Sequence, residues 1–199
     1  MDEHIHDMLN QGIIQPSVSP FSAPLLLIDK RSYDVSSKRE KRLVVDFRRL
    51  NASTVPQRFS IPLMQETVLN IGKAKIFSSL DLASGYWQMM VDEESRPYTA
   101  FSTSRGHWEF LRMPFGVKNG PSAFSKLMTI VLSELLGSEV LVYLDDLIVY
   151  SETESQHFER LGHVFERLRQ ANLKIKIRKC NFFPRKACLF RLLTVFWWN

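Results

Sequence analysis

The 199-residue sequence predicts an α+β protein, on three observations. Short apolar runs of strand character pair into two expected hairpins, one over "SAPLLLID" and "RLVVDF" and one within "EVLVYLDDLIVYS". Two longer stretches, after Gly120 and after Thr153, carry apolar residues at helical spacing. The 45% hydrophobic content is that of an ordinary globular protein, enough for one good-sized core or two small subdomains.

The chain starts "MDEHIHDMLNQ", acidic and polar, which reads as a frayed terminus unlike a signal or transit peptide. His4 and His6 beside Asp2 and Glu3 are given no metal role. Between the first two strands lies "DKRSYDVSSKREK" (29–41), a polar, basic hairpin tip. "SIPLMQETVLNIG" is expected to form a short helix, with Pro62 near its start and Gly72 as its stop. A strand follows at 75–82, with Ile76, Ser78, Leu80 and Leu82 on one side and Phe77, Ser79 and Asp81 on the other.

From Gly120, the residues Phe124, Leu127, Met128, Val131, Leu132 and Leu135 mark a helix, with Pro121 in its first turn and Gly137 just past its end. Residues 139–150 are apolar and β-branched, and a tight turn at Asp145 and Asp146 suits them better than a straight strand, because both carboxylates then reach one rim. Thr153 and Gln156 fit a capping box for the second helix, whose expected buried stripe is Phe158, Leu161, Phe165 and Leu168 and whose end is Asn172. "KIKIRK" would put Lys174, Lys176 and Arg178 on one strand face, fit for a phosphate backbone or for plain solvent.

Composition narrows the function classes. The 26 Lys and Arg against 21 Asp and Glu give net charge +5, a mild bias toward polyanionic partners. No apolar run reaches the roughly 18 residues of a membrane span, so no membrane partner is expected. Cys180 and Cys188, with no C-x-x-C and no leader, suit a reducing compartment. Together with His157 and His163 they match no zinc-finger spacing.

The chemistry centres on Asp145 and Asp146, set among nine apolar or aromatic residues. A buried carboxylate costs several kcal/mol unless it is compensated. Three readings fit: a turn with two solvated aspartates, an ion pair with nearby basic residues, or a site for hard divalent cations. Asp81 ends an apolar strand and precedes the small residues of "LASGYWQ", which makes it the natural third ligand. Two ions so held could activate a hydroxyl and stabilise the leaving oxygen in phosphoryl transfer.

Four motifs in order, "RLVVDFRRLN" (42–51), "SLDLASGYWQM" (79–89), "FLRMPFGVKNGPSAF" (110–124) and "VYLDDLIVYS" (142–151), resemble the reverse transcriptase of long-terminal-repeat retrotransposons of the Ty3/gypsy group. The later "HFERLGHVFERLRQANLKIKIRKCNFF" is also similar to that family, so the resemblance covers about residues 5–183. It implies the polymerase right-hand fold: a fingers subdomain at 1–56 and 90–119, and a palm with a ferredoxin-like sheet and helices on one face at 57–89 and 120–183. The implied activity is that of an RNA-directed DNA polymerase working inside the cell, in the cytoplasm or a retroelement particle. Its implied partners are an RNA or DNA template with primer and deoxynucleoside triphosphates.

Carried over residue by residue, Asp81, Asp145 and Asp146 match the catalytic carboxylates that bind two Mg²⁺ ions, with Mn²⁺ as the alternative ion. Arg42 and Lys30 match residues that contact the incoming triphosphate. The family's usual short fingertip is replaced here by the longer "DKRSYDVSSKREKR", which blurs the register of Lys30. Tyr86 matches the aromatic residue beneath the sugar, Gly85 a phosphate-facing amide, and Phe115 and Gly116 residues lining the nucleotide and template side. Past "KCNFF" the resemblance stops, and the expectation is a chain without a thumb, ending in an apolar tail at 184–199 suited to self-association. The alternative to a polymerase core is a non-catalytic, nucleic-acid-binding relic of a retroelement.

Overall fold

The computed structural model describes residues 2–29, 41–57, 71–143 and 146–183. It divides into two compact units, Met1–Gln57 with Tyr86–Gly120, and Arg58–Gly85 with Pro121–Asn199.

The first unit opens with a helix where a frayed terminus was expected. In α1 (Asp2–Asn10) the spacing of Ile5 and Met8 puts both on one face, and both are buried. They join Ile13, Ile14, Val45, Phe47, Phe101 and Phe110 in one core cluster. Over that cluster run β1 (Ile14–Pro16), β5 (Phe101–Thr103) and β6 (Gly106–Phe110), in the order β1-β6-β5. The first expected hairpin is present as β2 (Leu25–Asp29) and β3 (Lys41–Val45), antiparallel from Leu25↔Val45 to Asp29↔Lys41. The tip at 30–40 and most of the short helix expected near Pro62 lie outside the described residues. A two-turn helix, α2 (Arg48–Ser53), follows β3.

The second unit is built on an antiparallel sheet in the order β7-β8-β4-β9, from β4 (Ile76–Asp81), β7 (Val140–Tyr143), β8 (Asp146–Ser151) and β9 (Asn181–Phe182). Its helices are α3 (Gly120–Val131) and α4 (Glu154–Gln170). The regular helix of α3 stops at Val131, short of the expected Leu135. The chain keeps one more α-type bond, Leu132 N–H donating to Met128 O (2.9 Å), and then tightens, with Leu135 N–H donating to Leu132 O (2.9 Å), so Leu132 and Leu135 keep their buried spacing.

The cap of α4 forms on Thr153 as expected, its Oγ1 accepting from Gln156 N–H at 3.3 Å, while the return bond falls one residue upstream, Gln156 Oε1 accepting from Glu152 N–H at 3.1 Å. The stripe is corrected by one residue. His157, Leu161, Val164 and Leu168 are buried, whereas Phe158 is 64% and Phe165 36% exposed. The reason is polar. His157 bridges Ser78 Oγ on β4 (2.8 Å) and Ser151 Oγ on β8 (2.9 Å), which turns that face of α4 onto the sheet and leaves Phe158 about 100° around the helix. Asn172 ends the helix in the left-handed conformation, φ 55°.

This bridge sets a pH dependence. Burial, and then the charge of Arg160, hold the His157 imidazole below its ordinary value near 6.5. As pH falls the unfolded chain protonates first, so the stability that the neutral ring contributes is complete above about pH 6.5 and is lost below it. Urea midpoints should fall more steeply from pH 7.5 to 5.5 for the parent than for His157→Leu. Equal slopes would remove His157 as the cause.

Candidate active site

Asp81 and Asp146 are direct cross-strand partners, the last pair of the β4–β8 ladder. The alternation that separates Phe77, Ser79 and Asp81 from Ile76, Ser78 and Leu80 therefore holds, and Tyr150, Ile148 and Asp146 share the face of the first three. Further along this face Phe77, Ile148 and Tyr150 are buried with Ala74. At its other end both aspartates are only partly buried, Asp81 with 29% of its side chain exposed. The desolvation cost expected of a buried pair is thus reduced by position, since each carboxylate stands at a strand end.

β7 and β8 are antiparallel neighbours whose last pair is Tyr143↔Asp146, so Asp146, expected in the turn with Asp145, is instead a strand residue, held in the ladder by its pairing with Tyr143 and Asp81. The two residues that join β7 to β8 include Asp145, which lies outside the described residues. Among the described residues no three His, Cys, Asp or Glu side chains gather as a metal site, and Asp81 with Asp146 form a pair. Asp81 also meets a cation: Lys179 Nζ stands 3.2 Å from its Oδ2, and Lys176 N–H donates to its carbonyl at 2.8 Å.

Lys179 is a residue that the sequence reading missed. "KIKIRK" does not make the expected strand. Ile175 bridges Leu82, and the chain then tightens into a 3₁₀ turn, Ile177–Lys179, which brings Lys179 to Asp81. A strand would have set Lys179 on the face opposite Lys174, Lys176 and Arg178, whereas the turn carries it to Asp81.

Gly85 opens the 3₁₀ turn Gly85–Gln88. A Cβ built there would lie 2.9 Å from Cε2 and 3.3 Å from Cζ of Phe124, itself 1% exposed. The bare Cα is therefore required by the Phe124 ring. Gly85→Ala should cost roughly 1–3 kcal/mol of unfolding free energy through overpacking, with part recovered in the Phe124→Leu background. A Gly85→Ala variant as stable as the parent would contradict this packing.

In the first unit, Tyr86, Trp87 and Phe115 form an aromatic group. Phe115 meets Tyr86 edge-on at 5.3 Å and 72°, and Trp87 at 5.7 Å and 61°. The Trp87 indole Nε1–H is buried and has no hydrogen-bond partner among the described residues. Gly116 follows Phe115 with φ 90°, a conformation that favours glycine. Arg42 is a strand residue of β3, paired with Ile28, and Lys30 lies outside the described residues.

A family model described as reverse transcriptase (RNA-dependent DNA polymerase) matches residues 28–190. The chain is 42% identical over 187 residues to the retrovirus-related Pol polyprotein from transposon 297 of Drosophila melanogaster, and 40% identical over 187 residues to that from transposon gypsy of the same organism. Each alignment covers 94% of this chain and 18% of the polyprotein, so the chain spans about a fifth of the length of these relatives. Among solved structures, the foamy viral protease-reverse transcriptase in complex with RNA/DNA hybrid superposes with TM-score 0.77 at 25% identity, over 91% of this chain and 23% of that one. The mixed helix and sheet seen here is thus that of the right-hand polymerase fold, as the α+β expectation had it.

Proposed function

We infer that this chain, which belongs to the reverse transcriptase (RNA-dependent DNA polymerase) family, is the nucleotide-adding core of an RNA-directed DNA polymerase. The observation that carries the reading is the Asp81–Asp146 pair at the end of β4 and β8, directly beside the hairpin that holds Asp145. In this reading the unit containing Tyr86–Gly120 is the fingers, and the sheet-based unit is the palm.

The residues fit divalent cations. The pair offers only carboxylate oxygens, the hard donors that Mg²⁺ prefers, and Asp81 already draws the Lys179 ammonium. Asp81, Asp145 and Asp146 would hold two Mg²⁺, with Mn²⁺ as the alternative. When bound, the ions lower the pKa of the attacking primer hydroxyl and offset charge on the leaving oxygen. The chain's own residues supply orientation. By the family resemblance Tyr86 would lie beneath the sugar, the Gly85 amide, Arg42 and Lys30 would each contact the triphosphate, and Phe115 and Gly116 would line the nucleotide and template side. The substrates are deoxynucleoside triphosphates and a primed RNA or DNA template, in keeping with the RNA/DNA hybrid and double-stranded DNA in the foamy viral structures. The apolar sequence at 184–199 is proposed, on its composition, as a self-association segment.

The test is extension of a labelled primer on RNA by the purified chain, with and without Mg²⁺. Growth of the primer that stops on chelation is expected. Binding of primer-template without growth under any divalent ion would instead identify a non-catalytic nucleic-acid-binding module.

A further inference from the structure

Two asparagines, neither assigned above, tie together two segments of the first unit. Asn51, in α2, donates from Nδ2 to the carbonyl of Gly116 (2.8 Å) and accepts at Oδ1 from the N–H of Lys118 (2.8 Å). Asn119 does the reverse, donating from Nδ2 to Val55 O (2.9 Å) and accepting at Oδ1 from Gln57 N–H (3.0 Å). Each side-chain amide so acts as a surrogate peptide unit toward the opposite segment. Lys118 Nζ adds a third link, donating to Asn51 O (3.2 Å) and Thr54 O (2.9 Å).

What the clamp holds is the turn at Phe115 and Gly116. Gly116 has φ 90°, so the chain reverses there, and the preceding Phe115 ring stands edge-on against Tyr86 and Trp87. Phe115 is 36% exposed, so burial alone does not fix it. Its position depends on the hydrogen bonds that flank it, one to the Gly116 carbonyl and one from the Lys118 amide.

We propose that Asn51 and Asn119 are positioning residues for sugar selection, which hold Phe115 as a brace behind Tyr86. The proposal rests on the reading of Tyr86 as the residue beneath the sugar. A steric wall discriminates only if it cannot recede, and the ring that backs Tyr86 is fixed by the asparagine clamp. Displacement of a reacting or selecting group by about 1 Å is enough to change rates by up to 10²-fold.

The experiment measures incorporation of each ribonucleotide against its deoxynucleotide by the parent, Asn51→Ala, Asn119→Ala and Asn51→Asp, with hydrogen exchange at the Lys118 and Gln57 amides as the structural readout. Both alanine variants should lose about tenfold in discrimination against ribonucleotides. Asn51→Asp keeps the acceptor and the near-identical shape, and should fall between. Combined with Tyr86→Ala, Asn51→Ala should add little, because the wall it braces is gone. Unchanged discrimination in Asn119→Ala and Asn51→Asp, with exchange at Lys118 or Gln57 accelerated, overturns the proposal even if Asn51→Ala fails to fold. A parent that incorporates neither sugar overturns the polymerase reading, and the sugar-selection role with it.

Discussion

Asp146→Asn is expected to slow nucleotide addition by about 10²- to 10³-fold, and Asp81→Asn by a similar factor. The substitution keeps the size of the side chain and removes its charge, so the loss falls on the charge developed in the transition state. An interaction of that kind is worth about 3–4 kcal/mol. The two residues are partners in one register, so their effects should not add: the double variant should lose little beyond either single one. The carboxylates are partly exposed at strand ends, and the fold should tolerate the change, with the urea midpoint within the range of ordinary surface substitutions. Extension at the parental rate by a folded Asp146→Asn would break the assignment.

Tyr86→Ala should raise ribonucleotide use relative to deoxynucleotide use by roughly 10- to 100-fold, the range over which a pocket wall separates substrates differing by one small group. The ring is held by Phe115 on one side, and Gly120 approaches it closely enough that a Cβ there would lie 4.0 Å from Tyr86 Cε1. Removing it therefore opens space that the neighbours do not fill. Deoxynucleotide addition should continue, because Tyr86 carries none of the metal-binding charge. An active variant with parental discrimination would return Tyr86 to a packing role.

The larger part of the frame was legible because the relevant patterns are local. Period-two alternation in "KIFSSLDL" put Asp81 on the face it shares with Phe77 and Ser79, and the hairpin inside "VYLDDLIVY" followed from two adjacent polar residues in an apolar run, although Asp146, expected in its turn, is the first residue of β8. What escaped was decided by distant partners. Phe158 and Phe165 are apolar at good helical spacing, yet α4 buries His157 and Val164, because Ser78 and Ser151 on two strands offer the ring hydrogen bonds. α1 looked too polar to order, and its Ile5 and Met8 find a core made largely of residues tens of positions away. Lys179 needed a 3₁₀ turn that no periodicity announces. The Asn51 and Asn119 bridges join positions separated by 62 to 67 residues, and nothing in either local sequence marks the amides as paired.

Copying of RNA into DNA by way of Asp81, Asp145 and Asp146 is open to a direct test. The most direct measurement supplies a heteropolymeric RNA template, a DNA primer, Mg²⁺ and one deoxynucleotide at a time, and reads which one the purified protein adds. The expected result is addition of the nucleotide complementary to the next RNA base, and its loss in Asp146→Asn. Addition that ignores the template base, or that survives the substitution unchanged, would contradict it.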